Sequence, residues 1–143
     1  MKILSLLFLT IFLGNGCDSA KAQDIETAVI EYTANTRGFY QKITVKNQMV
    51  TISKDRDGND KPVPKKISDA EWKDILDCFE TMELDSLPQL KAPTEKRFYD
   101  GAAIANLKIT FKDKAYETDS FDHGFPPKEI KKFVNTITSL AKE

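Results

Sequence analysis

The chain has few of the residues on which many chemistries depend. One histidine in 143 residues leaves no material for a multi-histidine metal centre, and two cysteines are too few for a disulfide framework or a cysteine-rich zinc site. Six glycines and six prolines exclude collagen-like and low-complexity chains. Charge of one sign is also missing: 21 Lys and Arg stand against 22 Asp and Glu, a formal net charge of −1. No long-range field therefore draws in a polyanion. Apolar residues at 41% and a mean hydropathy of −0.41 describe one globular domain, too apolar for a disordered tail and too polar for a multi-span membrane protein.

The only long apolar run comes at the start. Residues 1–14 read MKILSLLFLTIFLG, one early cation followed by about a dozen apolar positions. That is too short for a permanent span of a ~30 Å hydrocarbon layer and suits the h-region of an export signal over residues 1–22. Two processing routes compete. Ala20 and Ala22 suit signal-peptidase cleavage after Ala22, which leaves Gln23 first. Cys17, just beyond the apolar run and preceded by Gly14 and Gly16, suits cleavage before a cysteine that becomes lipid-modified. The departure from the lipoprotein pattern is Gly14, three residues before the cysteine, where a leucine-like residue is usual. A retained anchor is the third possibility. The expected address is the bacterial envelope: lipid-anchored and facing the periplasm or exterior, or released in soluble form.

Residues 23–143 then form a single domain. Loss of Lys2, Lys21 and Asp18 with the signal leaves 19 basic and 21 acidic residues, which argues against nucleic acid as a partner. With Cys17 lipidated, Cys78 has no internal partner, so stability must come from a hydrophobic core, which roughly 120 residues can supply.

Periodicity predicts strands, helix, strands, helix. Residues 29–33 are rich in β-formers, and 39–46 alternate with Phe39, Ile43 and Val45 on one face, broken by Gln41. Asn47-Gln48 turns the chain into a strand over 49–53, and 55–64 is a loop rich in turn residues. Ser68 to Glu71 is a capping box opening a helix with an apolar stripe of Trp72, Ile75, Leu76, Phe79 and Met82. Pro88 and Pro93 end regular helix, and 91–101 is a polar connection. Residues 103–111 alternate most clearly, and 115–121 pair back as one hairpin strand. Pro126-Pro127 starts a last helix with Ile130, Phe133, Val134, Ile137 and Leu140 inward. Two apolar stripes need one apolar surface. The expected fold is α+β: a mainly antiparallel sheet of about five strands with two helices on one face.

Four segments contain residues with possible chemistry. His123 follows Asp122 in FDHGFPP, an Asp–His pair that suggests a general base. Adjacent residues on an extended segment point opposite ways, however, so a rigid strand-to-helix turn is the plainer account. No serine or cysteine sits in a nucleophile elbow. Residues 55–60 match the first half of an EF-hand loop, but Asp60 stands where glycine is needed and Lys66 where the bidentate glutamate belongs. No metal and no cofactor is expected. Cys78, flanking the helix stripe beside Asp77 and Glu80, should have a raised thiol pKa and be unreactive. Finally, 37–40 (RGFY) and 96–101 (KRFYDG) each set a cation beside two aromatics and a glycine ahead of a strand. Arg37, Tyr40, Arg97 and Tyr99, with Asp122 and His123, are the binding candidates. Arginine pairing to Asp100 or Asp122 is the structural alternative.

The succession of Thr36 to Tyr40, a strand pair, Ile67-Ser68-Asp69 opening a tryptophan-bearing helix, Asp100-Gly101-Ala102 and Phe121 to Pro127 resembles an uncharacterised family of small exported or lipid-anchored bacterial envelope proteins. The resemblance implies an envelope address and brings no catalytic residues. The favoured expectation is a non-enzymatic module that binds an envelope protein, peptide or glycan through one edge of its sheet, touching membrane only through a Cys17 lipid. The alternative is a small hydrolase or lyase using His123 with Asp122 or Asp100.

Overall fold

The computed structural model describes residues 24–142; the expected export signal, with Cys17 and both expected cleavage positions, lies outside them. Seven strands are present among the described residues: β1 (Val29–Thr36), β2 (Phe39–Lys46), β3 (Met49–Ser53), β4 (Lys65–Lys66), β5 (Ile104–Phe111), β6 (Lys114–Glu117) and β7 (Phe121–Asp122). They form one antiparallel sheet in the order β4-β3-β2-β1-β5-β6, with β7 also pairing to β5. Two main helices, α1 (Asp69–Thr81) and α2 (Lys131–Ser139), complete an α+β domain.

Alternation sets the faces. Ile30, Tyr32 and Ala34 of β1, Ile43 and Val45 of β2, and Ala105, Leu107 and Ile109 of β5 are buried against Trp72 and Ile75 of α1 and Phe133, Val134 and Ile137 of α2. Both helices therefore cover the same face. Each fully buried aliphatic or aromatic side chain there contributes roughly 1.5–3 kcal/mol. The opposite face is polar, with Glu31 pairing to Lys42 at 3.0 Å across the β1–β2 register.

Local chemistry fixes the ends of the elements. Ser68 caps α1 by accepting from the Glu71 N–H, and its hydroxyl donates to the Glu71 carboxylate at 2.7 Å. Asn47-Gln48 and Lys112-Asp113 both take positive φ, the left-handed pair that a two-residue hairpin requires. Pro88 limits residues 84–89 to a 3₁₀ helix, and Leu87 is buried beneath it.

Three details differ from the expectation. The sheet has two more strands than the periodicity suggests, because β4 and β7 are two residues long, too short to show a period. The connection over 91–101 includes a 3₁₀ helix, Lys96–Tyr99. The single strand expected over 115–121 is divided into β6 and β7 by a bulge, and that bulge positions the candidate site.

Candidate functional site

Lys108 pairs with Glu117 and Ala105 with Phe121, so three residues (118–120) oppose only two (106–107). One extra residue is a β-bulge, which re-aims the side chains that follow it. Thr118 holds the break in place: its N–H donates to Leu107 O at 3.0 Å and its hydroxyl accepts from Leu107 N–H at 3.1 Å. Beyond the bulge Phe121 enters the core, fully buried, and Asp122 stands opposite Ile104 on the outer face. Asp122 O then accepts from Phe125 N–H at 2.8 Å, closing a tight turn in which Gly124 takes φ +91°. A side chain at Gly124 would be strained. His123 lies on this turn, opposite in direction to Asp122.

Asp122 is fully buried and fully used. Its carboxylate accepts from Thr94 Oγ1 at 2.5 Å, from the N–H groups of Lys96 (2.7 Å) and Arg97 (3.0 Å), and from the Arg97 guanidinium at 3.1 Å. Burial alone would push its pKa up. The bonds from Thr94, Arg97 and Lys96 outweigh that and hold it at about 2. Arg97 is sequestered with it: only 8% of its side chain is exposed, Nη1 also donates to Thr94 O, and the guanidinium lies 4.3 Å from the Phe98 ring centre. Asp122 and Arg97 thus clamp the 94–99 turn onto the sheet.

His123 is half-buried and faces the other way. Its Nδ1 lies 2.7 Å from the hydroxyl of Tyr32, a fully buried side chain. Burial pushes the Tyr32 phenol well above its ordinary pKa, so it keeps its proton, and Nδ1 is the only partner that proton has. Tyr32 therefore donates, and the neutral ring carries its own proton on Nε2. Burial, and secondarily the Lys142 ammonium, lowers the imidazole pKa and favours that neutral form. No hydrogen bond is made by Nε2, and among the described residues no buried side-chain nitrogen or oxygen lacks a partner, so Nε2 is open to solvent. His123 lines a cleft of about 360 Å³ together with Phe39, Gln41, Pro126, Asn135 and Lys142 among others. The Phe39 ring lies 5.7 Å from the imidazole.

The binding candidates fall at one end of the sheet. Arg37 is exposed in the β1–β2 turn, beside Gly38 at φ +74°. Asn35 pairs with both Tyr40 and Ile104, and Ile104 pairs with Asp122, so Tyr40 and the clamp holding Arg97 share one row across four strands. Tyr99 is 71% exposed. The sheet thus brings the two arginine–aromatic segments to the same end. Arg97 departs from the expectation of an exposed cation because Asp122 takes it up, the structural alternative for this arginine. Asp100 ends the 3₁₀ turn at φ +59°, exposed and without a bond to His123.

Several contributors escaped the sequence reading. Among the described residues, five of the six exposed large apolar side chains (Phe39, Phe98, Tyr99, Ile104 and Phe125) gather at this end. Two of them touch neighbouring site residues: Phe39 meets His123, and the Lys96 ammonium lies 4.4 Å above the Phe125 ring. Gln41, the break in the apolar face of β2, lines the cleft. That break was the available signal. Arg56 was missed too; it donates to Thr36 O at 2.6 Å, adding a second cation near Arg37.

The remaining segments are bound up locally. Asp60 accepts from the Ser53 hydroxyl and from Lys54 and Asp55 N–H groups, and Asp55 accepts from Asp57 and Asn59 N–H groups. Those carboxylates shape their own loop. No group of three or more His, Cys, Asp or Glu side chains among the described residues could hold a metal. Burial pushes the half-buried Cys78 thiol up, Asp74 and Asp77 add to the rise, and Lys132 opposes it. No helix among the described residues is long and apolar enough to cross a membrane. The chain matches no known protein-family model, and comparisons with curated proteins and with solved structures give no match either.

Proposed function

We propose that this protein is a non-enzymatic binding module of the bacterial envelope, exported by its first 22 residues and contacting a protein, peptide or glycan through the aromatic end of its sheet. The single observation that carries this reading is the gathering of Phe39, Phe98, Tyr99, Ile104 and Phe125 at that end, where Arg37, Arg56 and Lys96 also lie. Exposed aromatics beside cations are what recognition surfaces use, and an isolated domain gains nothing by keeping them in water. Membership of the envelope family it resembles, and a lipid on Cys17 or release after Ala22, belong to the same proposal. Phe98 and Tyr99 are each 71% exposed, so replacing both with serine leaves the fold intact. Glycan and peptide arrays probed with the domain test the reading: binding that is saturable and absent from Phe98→Ser/Tyr99→Ser supports it, and equal binding by both proteins refutes it.

A second reading, a small hydrolase or lyase, has one observation in its favour, the open Nε2 of His123. The Asp122 carboxylate is occupied by Arg97 and Thr94 rather than by the imidazole, which removes the orienting acid that reading needs.

A further inference from the structure

The cleft beside His123 carries an unusual balance of groups. Its polar lining residues include His123, Gln41, Asn135 and Lys142, with no aspartate or glutamate among the described residues. None of these four has a hydrogen-bond partner at its Nε2, side-chain amide or ammonium within the described chain. Tyr32 fixes the imidazole from beneath, so Nε2–H is a donor held in place before any ligand arrives. Phe39, 40% exposed and lying against the imidazole, and Pro126 supply apolar walls. A volume of about 360 Å³ lies within the range of small-molecule sites.

We infer that this cleft is a subsite for a carboxylate carried next to an apolar group, the carboxylate taken by His123 Nε2–H, Gln41, Asn135 and Lys142 and the apolar group resting on Phe39. One ionised group of positive sign, three neutral side chains able to donate and no competing acid among the described residues favour an anionic acceptor over a neutral one. An ammonium ligand would meet Lys142 and a ring that offers only N–H. The inference deepens the binding reading, since it assigns a ligand chemistry to a cleft at the same end of the sheet, and it rests on that reading for its biological use. A peptide C-terminus and an acidic sugar both present such a carboxylate.

The test uses a matched pair, N-acetylphenylalanine and its amide, followed by NMR of the His123 ring and of the Gln41 and Asn135 side-chain amides. The acid is expected to shift all three saturably, with the amide weaker by about tenfold, the cost of losing one charge-assisted contact. Lys142→Met and Gln41→Ala, which remove no hydrogen bond in the free protein, should each weaken the acid by about three- to tenfold. Glucuronate run beside the peptide acid separates the two sources by which one shifts the ring. Equal binding of acid and amide, or no shift from any acid at 10 mM (roughly the weakest affinity a built site would show), overturns the subsite. If the acids fail while array binding is still lost in Phe98→Ser/Tyr99→Ser, the subsite falls and the aromatic surface stands. If array binding is unaffected by that variant while the acids bind, the reverse holds.

Discussion

Asp122 and His123 are neighbours in the chain with opposite roles in the fold. Asp122 is sealed from solvent and every bond its carboxylate can use is made within the domain, whereas the His123 ring makes one internal bond and leaves its other nitrogen open. A buried charge persists only when it is paired and hydrogen-bonded, so the Asp122–Arg97 clamp is scaffold and has nothing left to give a ligand. A neutral imidazole steered by one buried hydroxyl costs little to hold with a free donor outward. The bulge at 118–120 separates the two roles, because it sends Asp122 to the outer face and leaves His123 above Tyr32.

If that division is right, substitutions on the two sides should differ in what they damage. Asp122→Ala has the largest expected effect. It leaves Arg97 buried without its partner, which costs about 3–5 kcal/mol, read as a fall in the denaturation midpoint. The acid limb comes next. Because the folded carboxyl of Asp122 sits below its ordinary range, its contribution is complete above about pH 4 and disappears as pH falls through about 2. Carbon NMR of the Asp122 carboxyl should titrate near 2, and a midpoint near 4 would show the clamp to be open in solution.

Tyr32→Phe removes a single hydrogen bond and should cost about 1 kcal/mol, while freeing the His123 ring to exchange tautomers, visible in its nitrogen shifts. Phe98→Ser/Tyr99→Ser should cost about 0.5–1 kcal/mol, the contact between the Phe98 ring and the Arg97 guanidinium, and abolish binding. Smallest of all, Lys142→Met should raise the His123 titration midpoint without changing the fold, because it removes the cation that disfavours imidazolium. The folded imidazole pKa is depressed, so protonating it as pH falls below the ordinary histidine range weakens the native state.

Periodicity carried most of the architecture. Strong alternation over 103–111 and the stripes of Trp72, Ile75 and Phe79 and of Ile130, Phe133 and Ile137 are repeated signals, and repetition survives local exceptions. The capping box at Ser68 and the turn at Asn47-Gln48 were equally legible, because each uses its own residues to satisfy its own backbone. The bulge was not legible. A one-residue slip between 106–107 and 118–120 depends on cross-strand register, and without it Phe121, Asp122 and His123 exchange faces. The expectation that Asp122 and His123 would point apart followed from extended geometry. Their actual partners, Arg97 and Tyr32, lie 25 and 91 residues away in sequence. Gln41 shows the gain available from a misfit: a polar residue on an apolar face marked a place where the face meets a cleft.

The central claim is that this domain acts by contact at the aromatic end of its sheet. Comparing the affinity of the wild-type protein and of folded Phe98→Ser/Tyr99→Ser for the same array-selected glycan or peptide tests it most directly. A loss of at least about tenfold in protein that stays fully folded at the assay temperature is the predicted result. Equal affinity, with both proteins equally folded, would contradict it.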